Sequence, residues 1–479
     1  MPNIEIDWLA DHVKVPKNAT LTELAADLVK VGIEEEEIRP PAVQGRLVVG
    51  KVLDMQAEPQ KNGKTINWCQ VEVGESEPRG IVCGAHNFSA GAIVVVALDG
   101  TILPGGFEIA ARKTYGHISN GMICSEAELG LSTESEGILV LTNCDYVTNA
   151  DALQTGDDAA ALLGLNVGTL EINITPDRGY CFSYRGIARE YSHSTGAVFE
   201  DPVLKLRESA TNHTETSSSM PLLGTNTDVK DAKTKRAQRS DTLPSQHPNV
   251  VVNDKNACSR FVSRIVTGID PKAKSPLWMQ QRLTRAGMRS ISLSVDVTNY
   301  VMLDLGQPLH AYDLDELQLP ITVRFAKDGE KLTTLDGAEH ALSSDDIAIT
   351  DNRAEPIGLA GVMGGESTEV TDKTTSIFIE AAHFNAKHIF RTARRHGYNS
   401  EASFRYERGV DTDLQVAAAE MAVQLLVKYG GGTDSGVAFD VNYTTPPVPV
   451  DFPITEVKRL LGVDVSRDEI VKILQEIGC

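Results

Sequence analysis

The spacing of apolar residues changes several times along this chain, and each change predicts a different set of elements. Behind the TLTE sequence of residues 20–23, apolar residues recur every three or four positions, which is typical of a helix that begins with a capping box. Between residues 47 and 98, short apolar runs alternate with polar and glycine-rich turns, which predicts strands. Residues 250–442 combine both patterns. Together the patterns predict an α+β multidomain chain.

The strands predicted between residues 47 and 98 are short, closely spaced and joined by small turns. Such spacing predicts a small closed β-barrel of the oligonucleotide-binding type, an OB-fold. The cations that we place on one rim, where they would contact phosphates, are Lys61, Lys64, Arg112 and Lys113. Four cations make a thin patch, so a barrel that serves only as a spacer or an assembly surface fits the same sequence.

Two segments follow the barrel and define its surroundings. Residues 170–191 read as a strand, a turn and a helix capped by Ser183. This segment most simply completes the small α/β unit that residues 1–39 begin, which makes the barrel an insertion within that unit. Residues 209–247 consist mainly of Ser, Thr, Asn, Asp, Lys and Pro and cannot bury enough apolar surface to fold. We therefore expect a disordered linker at residues 201–249.

One stretch, residues 291–313, brings varied polar side chains close together. Apolar and polar residues alternate over its first seven positions, which predicts a half-buried strand. Thr298 and Asn299 then stand where a following helix would be capped. Gly306 would end that helix, and a turn would return His310 toward the strand. A hydroxyl, an amide and an imidazole would then form the floor of a polar pocket. A capped helix beside a half-buried, satisfied histidine fits the same residues.

Charge and composition narrow the class of protein. The formal net charge is −21 over 479 residues, so any nucleic-acid contact has to use local cations. The seven cysteines are scattered without a C-x-x-C pair, which argues against a disulfide framework or a zinc site. No apolar run reaches the ~18–20 residues that span a bilayer, and the first residues lack a signal-peptide pattern. We therefore expect a cytoplasmic protein with no metal site and no membrane contact.

Several motifs resemble one family. Within the barrel, residues 81–87 (IVCGAHN) and 119–130 (SNGMICSEAELG) are similar to the tRNA-binding module appended to several aminoacyl-tRNA synthetases. Taken as a whole, the chain resembles the N-terminal part of the β subunit of bacterial-type phenylalanyl-tRNA synthetases. The further motifs that carry this resemblance are TPDRG at 175–179, DVTNYV at 296–301, GQPLHAYD at 306–313, GLAGVMGG at 358–365, IEAAHF at 379–384 and SFRYERGVD at 403–411.

The resemblance implies an editing pocket that hydrolyses tyrosine wrongly attached to the phenylalanine tRNA, tRNA(Phe). A hydrophobic pocket rejects an isostere with one extra hydroxyl only about 100-fold, so a second site has to recognise that hydroxyl. By the family's motifs, Glu380 and the backbone near Gly361 would bind the tyrosine hydroxyl. Ala360 and Ala402 would shape the slot for the ring.

The same resemblance implies which residues act on the ester. Thr298 and His310 would hold the ester end and the attacking water, with Asn299 beside them. No Ser-His-Asp set and no metal set is visible in the sequence, so the expected chemistry is the positioning of water and of the tRNA's own hydroxyl. His310 as a general base is the alternative role.

The resemblance also implies partners and cofactors. The family's enzyme is a ligase that joins phenylalanine to tRNA(Phe) with ATP and Mg2+, as a tetramer of two α and two β subunits (α2β2). Its ATP site belongs to the α subunit, so no cofactor is expected in this chain. A non-catalytic tRNA-binding or scaffold protein with an inert pocket is the rival interpretation.

The end of the chain reads as two capped amphipathic helices that begin a further module, so we expect a truncated piece of a longer β subunit. The predicted domains are an N-terminal α/β unit (1–39 with 152–200), an OB-fold tRNA-binding domain (40–151), the linker (201–249), a mixed α/β editing domain (250–442) and the start of a helical module (447–479).

Overall fold

The computed structural model describes residues 2–132, 136–144, 146–147, 152–211 and 249–478. The first half of the chain forms, in order, β1 (Asn3–Ile4), α1 (Ile6–Leu9), α2 (Leu21–Val29), β2 (Glu34–Arg39), β3 (Leu47–Pro59), β4 (Thr65–Glu72), β5 (Arg79–Cys83), β6 (Ile93–Ala97), β7 (Ile102–Leu103), β8 (Phe107–Glu108), β9 (Arg112–Thr114), β10 (His117–Ser119), β11 (Met122–Ile123), α3 (Ala159–Leu162), β12 (Thr169–Asn173), α4 (Tyr184–Thr195) and α5 (Pro202–Thr211). The second half forms β13 (Val250–Val252), β14 (Cys258–Thr267), α6 (Leu277–Arg285), α7 (Leu293–Leu305), β15 (Leu309–Asp313), β16 (Ile321–Phe325), β17 (Lys331–Thr333), β18 (Glu339–Ala341), β19 (Ile347–Thr350), β20 (Pro356–Leu359), β21 (Met363–Gly364), β22 (Ser376–Phe384), α8 (Ala386–His396), α9 (Glu401–Tyr406), α10 (Gln415–Gly430), β23 (Thr433–Asn442), α11 (Thr455–Leu461) and α12 (Arg467–Glu476). This mixture confirms the expected α+β class.

The N-terminal elements and the segment after the barrel share one small sheet. Strand β12 lies between β1 and β2 and is antiparallel to both. Helix α2 begins with the predicted capping box, in which Thr20 and Glu23 each accept a hydrogen bond from the other's backbone amide. Trp8 is fully buried, with its ring stacked on Tyr184 and Tyr300 at centroid distances of 3.9 and 5.0 Å. Because Tyr300 belongs to α7, this unit packs directly on the larger domain.

The barrel is a five-stranded sheet in the order β11-β6-β3-β4-β5. Its two edges approach each other where the amide of Asn120 donates to the carbonyl of Gly80 at 2.9 Å. The sheet is therefore nearly closed, as in an OB-like fold. Gly80 is required at this point because an added Cβ would lie 2.3 Å from the Trp68 ring.

Two sheets face each other in the larger domain. One has the order β15-β22-β14-β23, and the other has the order β13-β16-β19-β20-β21. Along β22, Ile377 and Ile379 pack with helices α7 and α10, whereas Phe378 points to the second sheet, as alternation in a strand requires. One face of the β22 sheet is thus covered by helices, and its other face meets the second sheet.

The strand predicted over residues 291–297 is wrong. Residues 293–305 form the single helix α7, whose N-cap is Ser292 and whose C-cap, as predicted, is Gly306 with φ of 90°. The helix is buried on most sides, so its apolar residues, such as Val297 and Val301, are not confined to one face. Their spacing therefore fits a strand as well as a helix. Its first turn is fixed to the preceding loop because the buried Asp296 carboxylate accepts from the Ile291 amide at 2.9 Å.

The linker predicted at 201–249 begins too early. Residues 202–211 form α5, which packs on α10, and the Ser209 hydroxyl donates to the Glu420 carboxylate at 2.9 Å. The rest of that prediction, residues 212–248, lies outside the described residues.

The two helices predicted near the end of the chain are present as α11 and α12. Ser466 caps α12 by accepting from the Glu469 amide, but α11 has no side-chain cap. Over the described ranges, we find no helix whose length and apolar character would let it cross a bilayer.

Candidate active site

A cavity of about 190 Å³ lies between the two sheets of the larger domain. Its wall is mostly apolar and comes from β15, β20, β21, β22 and α9. An engineered apolar cavity of about 150 Å³ binds benzene, so this space accommodates an aromatic ring. The polar side chains in the wall give the cavity its chemical character.

His310 and Glu380 face each other across neighbouring strands. They are direct partners in the antiparallel pair of β15 and β22, and such partners project from the same face of a sheet. Tyr312, two positions farther along β15, lies on that face as well. Its hydroxyl donates to Oε2 of Glu380 at 2.5 Å, and its ring lies edge-on to His310 with centroids 4.3 Å apart. The strand register thus gathers an imidazole, a phenol and a carboxyl group.

Burial changes the charge of both ionisable groups. Glu380 is only 5% exposed, and its burial raises the pKa of the carboxyl to about 7, although the hydrogen bond from Tyr312 lowers it. Burial of the ring lowers the pKa of His310 to about 4. Near neutral pH the imidazole is therefore uncharged, and the carboxyl keeps its proton to a higher pH than an exposed glutamate does.

One nitrogen of His310 is available for a ligand. Its Nε2 is buried and has no hydrogen-bond partner within the described part of the chain. Buried polar atoms are nearly always hydrogen-bonded, so an unpartnered one at a cavity marks a place for water or for a bound group.

The glycine-rich segment at 358–365 brings backbone against these side chains. A Cβ added at Gly364 would lie 2.5 Å from Cε1 of His310, which no real contact allows. Gly361 has φ of +66°, and a Cβ there would lie 2.8 Å from the Tyr406 ring. At these two glycines the backbone thus approaches the cavity's own rings closely.

The barrel presents the second candidate surface. All four predicted cations are exposed: Lys61, Lys64, Arg112 and Lys113. The first two lie in the turn between β3 and β4, and the other two lie on β9. The ring of His117 on β10 hydrogen-bonds Glu58 on β3 at 3.0 Å, which ties these two hairpins together. Arg112 also lies over the exposed Phe107 ring, 5.4 Å from its centroid.

Comparison with known proteins assigns both regions. A model of the B3/4 domain matches residues 257–431, and a model of a putative tRNA binding domain matches residues 47–145. The phenylalanine–tRNA ligase β subunit of Bifidobacterium longum is 52% identical over 495 aligned residues, which cover all of this chain and 55% of the relative. This chain belongs to the phenylalanine–tRNA ligase β-subunit family. The corresponding β subunit of Thermobifida fusca is 45% identical and covers 99% of this chain and 53% of the relative.

This family member spans about half the length of the curated β subunits it matches. Among solved structures, an N-terminal fragment of the phenylalanyl-tRNA synthetase β subunit from Pyrococcus horikoshii matches at 14% identity, over 65% of this chain and 77% of that chain. The TM-score of that match is 0.26, which is too low to inform the geometry.

Within the β-subunit motifs, the structure separates the predicted site residues into two groups. His310, Gly361, Glu380 and Ala402 all line the cavity. Ala360 does not line it, because its side chain is buried in the adjoining core.

Thr298 and Asn299 are also absent from the cavity wall, because both lie in the middle of α7 and not at its start. The Thr298 hydroxyl donates to the carbonyl of Val295 at 2.7 Å, as a threonine inside a helix commonly does. Of the three residues expected around the ester, His310 is the one that lines this cavity.

The sequence reasoning missed two aromatic residues of this site. Tyr312 follows His310 by two positions, so recognising β15 as a strand would have placed both on one face. Tyr406 comes from α9, a helix that was not predicted, and its hydroxyl donates to the carbonyl of Ala382 at 3.1 Å. Across the described residues, no group of three His, Cys, Asp or Glu side chains is placed to hold a metal ion.

Proposed function

We propose that this chain is the tRNA-binding and proofreading part of a phenylalanine–tRNA ligase β subunit. Its cavity hydrolyses tyrosine that has been attached by mistake to tRNA(Phe). The named relatives and the two matched domain models support this proposal. The observation that carries it is the buried Glu380, which already accepts a phenol hydroxyl, that of Tyr312, at 2.5 Å.

The carboxyl of Glu380 provides selectivity for tyrosine. A carboxylate accepts up to about four hydrogen bonds, and Tyr312 is the one donor to it among the described residues. A tyrosine side chain in the cavity brings a second phenol hydroxyl that this carboxyl binds. Phenylalanine fills the same space but supplies no donor. Sites built around a hydrogen bond reject analogues that lack it by up to about 10⁴–10⁵-fold.

His310 acts on the attacking water in this proposal. Water adds to the ester carbonyl carbon, the bond from that carbon to the ribose oxygen breaks, and a proton from the water ends on the ribose oxygen. The products are tyrosine and a tRNA with a free terminal hydroxyl. Since the pKa of His310 is lowered to about 4, its neutral ring is a weak base at pH 7, and its main role is to hold the water at Nε2.

The remaining parts of the proposal concern binding and assembly. The exposed cations on the rim of the barrel contact tRNA phosphates, since a chain with a net charge of −21 needs local positive charge for this purpose. Joining phenylalanine to tRNA(Phe) with ATP and Mg2+ requires the α subunit in the tetramer of two α and two β subunits. This chain supplies tRNA binding and ester hydrolysis to that assembly.

Hydrolysis of two esters by the purified chain tests the proposal. Tyrosyl-tRNA(Phe) should be hydrolysed selectively over phenylalanyl-tRNA(Phe). Glu380→Ala should lower kcat/KM for the tyrosyl ester by about 10–100-fold, because a hydrogen bond to a charged group contributes ~1.5–3 kcal/mol.

Glu366→Ala is the matched control, since it removes an exposed carboxylate from the same domain and should leave both rates unchanged. Thermal unfolding of each variant verifies that it is folded. Equal rates with and without the protein would refute hydrolysis and support the inert scaffold.

A further inference from the structure

Helix α8 presents a row of cations to solvent beside the cavity. Lys387, Arg391 and Arg394 are exposed and recur at i, i+4 and i+7, which places them along one side of the helix. Lys387 and Arg394 have no carboxylate of the described residues within ion-pair distance, whereas Arg391 lies 3.5 Å from Asp345. In a chain with a net charge of −21, uncompensated positive charge on one helix needs an explanation.

An aromatic ring interrupts this row of cations. Phe390 is 41% exposed, and the Arg394 guanidinium lies 4.4 Å from the centroid of its ring. A solvent-facing aromatic ring among cations is the combination with which proteins bind single-stranded nucleic acid, since the ring stacks on a base and the cations contact phosphates. We call Lys387, Phe390, Arg391 and Arg394 the α8 face.

The opposite side of α8 packs against the wall of the cavity. Ile389 is buried, and its Cδ1 lies 3.2 Å from the position of a Cβ built on Gly361, which lines the cavity. A helix with its side chains is about 10 Å across, so the α8 face lies about one helix diameter from the cavity wall.

The mouth of the cavity is tied to the end of the same helix. Leu335, 38% exposed, is the most exposed residue in the cavity wall. Its neighbours Thr334 and Asp336 hydrogen-bond the Tyr398 hydroxyl at 2.8 and 3.1 Å, and Tyr398 lies two residues beyond the end of α8. The C-terminal end of α8, which carries Arg394 in its last turn, is therefore tied through Tyr398 to the loop at the opening.

We propose that the α8 face binds the single-stranded 3′ end of the aminoacyl-tRNA and guides its ester into the cavity. Lys387, Arg391 and Arg394 contact phosphates, and Phe390 stacks on a base. This inference rests on the proposed function for its choice of ligand, because only an aminoacyl-tRNA carries the ester that the cavity would hydrolyse. Charge complementarity and the adjacent mouth select RNA over a protein partner.

Charge reversal tests the α8 face in the full 479-residue chain. Lys387→Glu with Arg394→Glu should raise KM for tyrosyl-tRNA(Phe) about 10-fold or more and leave kcat unchanged. Two lost phosphate contacts on a single strand should also flatten the plot of log(kcat/KM) against log[salt] by about 1.4. Phe390→Ala should raise KM about 5-fold or more, since stacking on an aromatic ring is lost.

The matched control is Lys14→Glu with Lys17→Glu, which changes the net charge equally at two exposed lysines of the N-terminal unit. It should leave KM near the wild-type value. A second substrate, 3′-O-tyrosyl adenosine, has no phosphate, so the variant Lys387→Glu with Arg394→Glu should hydrolyse it at the wild-type rate. Loss of that hydrolysis would mean that the cavity itself is damaged and would overturn the assignment of the α8 face to RNA.

A minihelix with the acceptor end of tRNA(Phe) and no attached amino acid separates this inference from the proposed function. Fluorescence anisotropy measures its binding to the protein. If wild-type protein hydrolyses neither ester, the proposed function fails, but weaker minihelix binding by the α8 variants than by the lysine control would still support the α8 face. Equal minihelix binding by α8 and control variants would overturn the inference and leave this face to a protein partner or to balancing the charge of the helix end.

Discussion

Helix α7 and strand β15 are neighbours in sequence and carry similar polar side chains. On α7 these side chains bond to the protein itself, whereas on β15 they face the cavity. On α7 the Asp296 carboxylate fastens the preceding loop, and the Thr298 hydroxyl bonds its own helix. On β15 the His310 ring keeps an unpartnered nitrogen, and the Tyr312 hydroxyl points to Glu380. The helix is enclosed on most sides, whereas the strand has one face on the helices and one on the cavity. Whether a polar group is free for a ligand thus depends more on what its face of the helix or strand packs against than on the residue type.

Gly364→Ala should produce the largest loss on the β15 side of this comparison. The new methyl group would lie 2.5 Å from Cε1 of His310, so the imidazole has to leave its position. A shift of about 1 Å in a positioning group can cost ~100-fold in rate, and overpacking costs ~1–3 kcal/mol of stability. We therefore expect at least about 100-fold slower hydrolysis of tyrosyl-tRNA(Phe).

Single-turnover hydrolysis and thermal unfolding of the same sample measure these two effects. Gly84→Ala is the control, because a Cβ there meets nothing within 4 Å. Full activity in Gly364→Ala would show that the position of the His310 ring does not matter for hydrolysis.

The pH dependence of stability should expose two opposing groups in the cavity. The pKa of Glu380 is raised from 4.5 to about 7, so between these values the folded chain holds a proton that the unfolded chain has lost, and stability falls as pH rises. The pKa of His310 is lowered from 6.5 to about 4, so stability rises with pH over that window. The two slopes nearly cancel in the wild type between pH 4.5 and 6.5.

Glu380→Gln should remove that cancellation. A shift of this size corresponds to about 3 kcal/mol, so the variant should gain on the order of 3 kcal/mol over the wild type as pH rises from 4.5 to 7. Urea unfolding at several pH values in this range measures the difference. Glu366→Gln, at an exposed carboxylate, should follow the wild type throughout. If the free energy of unfolding of Glu380→Gln and of the wild type varied with pH in the same way, the pKa of Glu380 would not be raised in the folded chain.

How far the sequence could predict this molecule depends on the range of each interaction. The capping box of Thr20 and Glu23 and the strand Arg79–Cys83 depend on adjacent residues, and both are confirmed. The pairing of His310 with Glu380 depends on which strands neighbour each other and in which register, and no local pattern contains that information. Only the resemblance to a family placed these two residues in one pocket. The position of Thr298 at a strand-to-helix corner was inferred from a strand that helix α7 replaces, and its role at the ester was implied by the resemblance alone.

Thr298→Val should have the smallest effect and tests the α7 side of the comparison. Valine keeps the branched shape and removes only the hydrogen bond to Val295. That carbonyl lies inside a helix and keeps its backbone amide partner, so no buried group is left unpaired, and we expect a stability change below about 1 kcal/mol. Hydrolysis of tyrosyl-tRNA(Phe) should stay within about twofold of wild type, since the residue does not line the cavity. A variant that is folded and stable but inactive would restore the role of Thr298 at the ester and would require α7 to form part of the site.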